Sequence, residues 1–246
     1  MFITKQFQLF QLSRARIALC MTTPKRLLMI VTSHATLGAT NTKTGFWLEE
    51  LAAPYLELTK HGIEIDIASP AGGRPPADPK SEANPTPAVR AFLDDRAATA
   101  KLCATLRLAD VKQRYDAYFV VGGHGVMWDL SYDATLASML SGAAAEGSVV
   151  AAVCHGPAAL VNVRLADGRY LVQGKRVAGF SNAEEAAVGL DKVVPFALES
   201  MLRERGANYE SGPMWAAFAI RDGKLVTGQN PASSLAVARA TLEALA

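Results

Sequence analysis

Cys154 and His155 stand side by side where the run Val149-Val150-Ala151-Ala152-Val153 gives way to Gly156-Pro157. A thiol next to an imidazole is a pairing for nucleophilic catalysis: the imidazole takes the S–H proton and the sulfur attacks an electrophilic carbon. The run before them is small and β-branched with no polar alternation, the pattern of a strand buried on both faces. Pro157 suits the first turn of a helix, where its missing N–H would be unpaired anyway. Cys154 is therefore expected on a tight strand-to-helix turn, a nucleophile elbow with sulfur in place of oxygen. At such a turn the positive end of the helix lowers a thiol pKa from its reference of ~8.5. On that reading Cys154 is oxidised and alkylated ahead of Cys103 and Cys20. The competing reading is an inert thiol at a strand end, where free cysteine is common. The polar His155 and the small Gly156 favour the nucleophile.

The elements that must position this pair follow from hydrophobic period. Leu27-Leu28-Met29-Ile30-Val31-Thr32 is a second buried-strand run, and Ser33 to Thr44 is a polar loop at its end. From Gly45 to Lys60, Trp47, Leu48, Leu51, Tyr55 and Leu58 recur at helical spacing, with His61-Gly62 as the stop. Ile63, Ile65 and Ile67 form a strand, so the chain opens β-α-β, which implies a parallel sheet. Residues 70–87, with six prolines, read as a long surface loop. A helix is expected over Ala88–Leu108, with Cys103 packed against its apolar face. The strand Tyr115–Val121 ends in Gly122-Gly123-His124-Gly125, a turn without the residues of a phosphate-binding loop and better suited to aiming backbone N–H groups at an oxyanion. A helix over Asp133–Glu146 leads into the Cys154 strand. Beyond it come a small β excursion over Leu165–Phe180 turning at Asp167-Gly168, and a helix capped by Ser181 with Glu184 and Glu185 in its first turn. A helix over Lys192–Arg205 follows, then a hairpin turning at Asp222-Gly223, and a last helix from Asn230-Pro231.

Alternating strands and helices make a doubly wound α/β domain, in which sites form beyond the C-terminal ends of strands. Its length of 246 residues suits one large domain, expected over 23–246. Residues 1–22, basic and without an acidic residue, read as an extension. The net charge of +2 leaves no basic field for nucleic acid, and no apolar run approaches the ~20 residues of a membrane span. Cys20, Cys103 and Cys154 are too scattered for a disulfide framework or a thiolate metal site, which fits a reducing cytoplasm. His34, His61, His124 and His155 show no ligand spacing, so no metal is expected. His34 reads as a loop residue above the first strand and His61 as a helix cap. Trp47 and Trp128 read as core or pocket wall, and Asp129 as structural.

Val153-Cys154-His155-Gly156-Pro157, with Gly122-Gly123-His124-Gly125 about thirty residues earlier, resembles the ThiJ/PfpI superfamily, the class I glutamine amidotransferase-like fold. Thr44-Gly45-Phe46-Trp47-Leu48-Glu49-Glu50, Gly179-Phe180-Ser181-Asn182 and Thr227-Gly228-Gln229-Asn230-Pro231 resemble its glutathione-independent, glyoxalase III-like branch. The resemblance implies a flavodoxin-like three-layer sandwich around a mostly parallel sheet, with the elbow cysteine on a central strand. It assigns Cys154 as nucleophile and His155 as its base. The partner acid of the histidine falls at Glu185, with Glu184 one residue away. A second acid that contacts the sulfur from the first helix lies four residues before a proline, at Glu50 before Pro54, with Glu49 as its neighbour. The oxyanion donors implied are the N–H groups of Gly123 and His155. No late His-x-Glu pair is present, which argues against glutamine amidotransfer.

The activity so implied is a lyase of glyoxalase III type acting on a small dicarbonyl. Cys154 adds to the aldehyde of a 2-oxoaldehyde such as methylglyoxal, His155 removes the carbon-bound proton, and a protonated Glu50 returns one on the way to lactate. Neither glutathione nor any other cofactor is called for. The resemblance also implies a homodimer and a role in stress protection. The alternatives within the family are deglycation, a hydrolase activity, and a holding chaperone, which would not need Cys154.

Overall fold

The computed structural model describes residues 24–246; the expected extension over 1–22, with Cys20, lies outside the described residues. The first apolar run forms β1 (Arg26–Ile30), whose Leu27 through Ile30 are shielded from solvent on both faces. Helix α1 (Leu48–Lys60) buries Leu48, Leu51, Tyr55 and Leu58 and ends at His61. Strand β2 (Glu64–Ser69) returns parallel to β1. The proline-rich stretch that follows is tied down: it contains α2 (Pro79–Ala83), and Ala77 bridges to Phe46 at the approach to α1.

The single helix expected over Ala88–Leu108 is instead two, α3 (Pro87–Asp94) and α4 (Arg96–Cys103), followed by the edge strand β3 (Leu106–Arg107). Asp95 makes the break. Its backbone is extended, and its carboxylate accepts from the N–H groups of Ala97 and Ala98, capping the second helix. The division turns Cys103 outward, so it is exposed rather than packed.

Next come β4 (Ala117–Val120), α5 (Ala134–Ala145) capped by Asp133, and β5 (Val149–Val153). Beyond the elbow lie β6 (Arg176–Val177), α6 (Asn182–Ala187), α7 (Leu198–Glu204), β7 (Asn208–Tyr209), β8 (Ala219–Asp222), β9 (Leu225–Gly228) and α8 (Ser234–Leu245). Helix α7 is shorter than the expected Lys192–Arg205. Pro195 lacks the N–H that a continuous helix would need there, so α7 starts only at Leu198. The Asp167-Gly168 turn closes a single bridge, Arg164 to Tyr170, rather than a full hairpin.

Among the described residues, seven strands form one sheet in the order β3-β2-β1-β4-β5-β9-β8, parallel except for the β8–β9 hairpin, while β6 and β7 pair separately. Helix α1 packs against both α3 and α8, α8 rests on β5 and β9, and α5 rests on β4 and β5. This is the expected flavodoxin-like α/β sandwich. Strand order runs outward from β1 to β3, then outward again from β4, so the loops after β1 and β4 diverge and leave a crevice. Val120 of β4 lies opposite Ala152 of β5, which brings the turn after β4 level with the elbow after β5. No helix among the described residues is long and apolar enough to cross a membrane.

The approach of α1 to this crevice depends on Gly45. A Cβ there would lie 2.0 Å from the Pro76 carbonyl oxygen and 2.8 Å from the Ala77 carbonyl carbon. Phe46 donates its N–H to that same Pro76 oxygen at 3.0 Å, so the two segments cannot simply part. Gly45→Ala is expected to destabilise the fold by about 1–3 kcal/mol, lowering Tm by roughly 3–10 °C in a thermal unfolding scan.

Candidate active site

Strand β5 ends at Val153, and the next residue turns the chain sharply: Cys154 has φ 59° although it carries a side chain. A non-glycine residue held in this region costs about 1–3 kcal/mol and persists only where its surroundings fix it. Here the Cys154 N–H donates to the Gly228 carbonyl at 2.9 Å, and its carbonyl accepts from Phe180 N–H at 2.9 Å. The side chain is thereby pushed out at the end of the sheet, although it remains buried. Gly156–Leu160 forms only a five-residue 3-10 turn. The helix expected to lower the thiol pKa is therefore not there to do so.

His155 is fully buried, with Nδ1 3.4 Å from the Cys154 sulfur and Nε2 2.8 Å from Glu185 Oε2. Burial works to raise the Glu185 pKa, but hydrogen bonds from His124 and His155 outweigh it and hold the carboxyl at about 2. An ionised carboxylate only accepts, so the His155 nitrogen facing it must carry the proton. Nδ1 is then the nitrogen with the free lone pair, and it faces the thiol. Burial first, and the neighbouring His124 second, lower the His155 pKa to about 4, which keeps the ring neutral and able to accept a proton. Of the two candidate acids the histidine partner is thus Glu185. Glu184 closes a capping box with Ser181 and accepts from Trp215 N–H and Asn230 Nδ2, both at 2.9 Å.

His124 is the residue that the sequence reading left inside a turn. Its Nε2 lies 2.9 Å from Glu185 Oε1, so one carboxylate receives a hydrogen bond from each of two imidazoles. The rings of His124 and His155 have centroids 4.0 Å apart. One nitrogen from each ring and the Glu185 carboxylate lie within 4.8 Å of one another, a grouping of metal-ligand types that chain spacing does not reveal. With Glu185 ionised, both imidazoles spend their Nε2 protons on its carboxylate, which fixes the tautomer of each ring.

Glu50, rather than Glu49, faces the sulfur. It is completely buried beside Cys154 and Gly122, while Glu49 accepts from Thr86 Oγ1 outside the site. Neither Glu50 oxygen has a donor in hydrogen-bond geometry. Burial pushes its pKa well up, although the thiol and the Gly122 N–H pull the other way. Burial also pushes the Cys154 thiol up, and a charged Glu50 would push it further; the N–H groups of His155 and Gly123 act against this. The expected lowering of the thiol pKa is therefore reversed. Burial favours the protonated forms of the sulfur and of Glu50, and of the two supports for preferential reaction at Cys154, a helix terminus and an adjacent imidazole, only the imidazole remains. The two N–H groups that favour a negative sulfur are those expected as oxyanion donors.

Gly122 and Gly123 are required where they stand. A Cβ on Gly122 would sit 2.4 Å from Glu50 Oε2 and 2.4 Å from the Val153 carbonyl oxygen, and Gly123 has φ 102°. A cavity of about 300 Å³ opens over the sulfur, walled by Trp47, Phe180, Val188, Trp215, Pro231 and Ala232. Other singled-out residues lie apart from it. His34 stacks on Trp128 at 5.3 Å, His61 Nδ1 lies 2.8 Å from the Glu57 carbonyl, and Asp129 binds Thr32 Oγ1 and Ser33 N–H, each at 2.7 Å.

A parallel α/β sheet that ends in a strained cysteine, with a neutral imidazole and a buried acid against its sulfur, defines the class of molecule: a cysteine-elbow α/β protein. The chain belongs to the DJ-1/PfpI family, whose model matches residues 41–244. It is 31% identical over 241 residues to the glutathione-independent glyoxalase HSP31 of Saccharomyces cerevisiae, covering 90% of this chain and 98% of that one. The crystal structure of glyoxalase III from Candida albicans superposes with a TM-score of 0.81 at 27% identity, over 89% of this chain and 97% of that one. Rapid Encystment Protein 24 KDa of Francisella tularensis superposes with a TM-score of 0.87 at 42% identity, over 90% and 99%.

Glu50 has a measurable thermodynamic signature. Below its ordinary value of 4.5 both folded and unfolded chains hold the proton. As pH rises past that value the unfolded chain ionises while the folded carboxyl does not, so the folded state binds more protons and stability falls with pH. Glu50→Leu removes a buried polar group without donors and is expected to stabilise the fold by about 1–3 kcal/mol. The gain in Tm over wild type should grow as pH is raised from 4.5 to 7, read by calorimetry.

Proposed function

We propose that this protein converts methylglyoxal and related 2-oxoaldehydes to 2-hydroxy acids without glutathione, as a lyase of glyoxalase III type. The observation that carries the reading is the ordered chain from the Cys154 sulfur through His155 to Glu185, with the free lone pair of the imidazole on the nitrogen that faces the thiol. The names of the relatives support it across almost their whole lengths.

The chemistry then follows from where the protons sit. His155 Nδ1 takes the S–H proton as sulfur adds to the aldehyde carbon, and the N–H groups of His155 and Gly123 face the oxyanion that forms. Passing the proton to that oxygen gives a hemithioacetal and leaves His155 neutral. His155 next removes the proton on the same carbon and passes it to the ketone oxygen, giving an enediol; protonated Glu50 is the acid placed to return a proton at the neighbouring carbon, and it recovers one from the hydroxyl beside the sulfur as that carbon becomes a thioester carbonyl. The product is a thioester, which water hydrolyses to the 2-hydroxy acid with return of the thiol. One water is consumed, and oxidation of the aldehyde carbon is balanced by reduction of its neighbour. Glu185 stays ionised throughout and fixes the imidazole tautomer. His124, on the same carboxylate, is a second acceptor facing the cavity.

A homodimer is the assembly we propose on family resemblance, and a cytoplasmic setting on cysteine usage. Protection against reactive carbonyls is the role that fits the activity.

The test is lactate formation from methylglyoxal in buffer without glutathione. Wild type should turn over, and Cys154→Ser should lose at least about a thousandfold in kcat/KM. A holding-chaperone activity would survive that substitution. Because His155 accepts a proton only while neutral, kcat/KM should fall as pH drops through about 4, rather than near the ordinary histidine value. An unchanged Cys154→Ser protein would sink the reading.

A further inference from the structure

We propose that the preferred substrates are uncharged 2-oxoaldehydes with a bulky apolar group on the ketone carbon, aryl compounds above all; this rests on the reading just given. The cavity over the sulfur has a volume of about 300 Å³. Methylglyoxal, with five non-hydrogen atoms, takes roughly 100 Å³, the share of three or four liquid waters. A molecule of that size leaves much of the apolar wall facing water. An aryl group in place of the methyl displaces that water.

The wall beyond the sulfur is built for such a group. Trp47, Phe180 and Trp215 contribute aromatic faces, and Phe180 and Trp215 have ring centroids 5.9 Å apart at 59°. Polar side chains at the cavity are already committed. Asn230 Nδ2 donates to Glu184 Oε1 and to the Ala216 carbonyl, and its Oδ1 accepts from Ser233 Oγ. His155 is bound at both nitrogens, and His124 Nε2 at Glu185. Among the described residues, no lysine or arginine lines the cavity. A carboxylate or phosphate on the substrate would lose water and meet no cationic side chain here, and the one ring nitrogen left over, on His124, is an acceptor that does not favour an anion.

Trp215 is the residue that gives the mouth its shape. Its backbone has φ 65°, a conformation rare for a tryptophan, and its N–H donates to Glu184. Glu184 is itself fully buried and held by Ser181 and Asn230. A half-exposed indole on a strained and anchored backbone is a placed group rather than an incidental surface residue. Glu184 is thus a positioning residue for the apolar wall, a separate task from that of Glu185.

The experiment compares phenylglyoxal (product mandelate), methylglyoxal and 4-carboxyphenylglyoxal without glutathione on wild type, Trp215→Ala and Trp215→Phe. Wild type should favour phenylglyoxal over methylglyoxal by at least about tenfold in kcat/KM, and over its carboxylated analogue by a similar factor. Trp215→Ala should lower the phenyl-to-methyl ratio at least about fivefold, and Trp215→Phe should hold it within about twofold. A wild-type ratio at or below one overturns the proposal, as does a ratio that Trp215→Ala leaves alone. Turnover of methylglyoxal alone leaves the glyoxalase reading standing and sinks this one. No turnover of any substrate sinks both.

Discussion

Three chain segments that carry the site meet at Gly122, at a distance that leaves room for a hydrogen atom and nothing larger. The carboxyl of Glu50 arrives from α1, the Val153 carbonyl from the end of β5, and both would lie 2.4 Å from a Cβ at that position. Everything else about the site follows from this approach. It brings the turn after β4 against the elbow, aims the Gly123 N–H at the sulfur, and seals Glu50 from water. The sheet register supplies the coarse alignment by ending β4 and β5 at one level. Glycine supplies the last few ångströms.

Sealing has electrostatic consequences that divide the titratable groups by role. Burial acts on every one of them, yet the outcomes differ because the partners differ. Glu185 has two donors and stays ionised, Glu50 has none in hydrogen-bond geometry and keeps its proton, and His155 is held neutral between an anion and a thiol. Burial favours the protonated sulfur at rest, and on the proposed mechanism it gives its proton to His155 only as the bond to carbon forms and the charge moves to oxygen. Such a site holds its nucleophile in reserve until an electrophile is in place.

Much of this was legible in the chain because the relevant signals are local. The apolar run before Cys154, the glycines after β4 and the Ser181 cap each state their conformation within a few residues. The acids Glu50 and Glu185 were found through family resemblance, and helical geometry alone left Glu49 and Glu184 in contention. What escaped depended on distance or on context. His124 and Glu185 are 61 residues apart, and nothing in a Gly-Gly-His-Gly turn announces a partner. Asp95 looks like any polar position on a helix surface until its carboxylate is seen capping the next helix. The thiol pKa goes the other way from the sequence expectation because Gly156-Pro157 reads as the start of a full helix and opens only a 3-10 turn. One 3-10 turn supplies little dipole, and the loss of solvent is the larger effect.

The tryptophans are distributed in a way that makes the protein its own optical reporter. Trp47 and Trp215 both form part of the cavity wall, while Trp128 stacks on His34 away from it. Filling the cavity replaces water at two indoles and leaves the third as an internal standard. Emission from Trp215, half exposed at the mouth, should move to the blue as its solvent is excluded. Occupancy can then be followed in the unlabelled protein, with inert carbonyl analogues that the sulfur never attacks, so that binding is separated from chemistry.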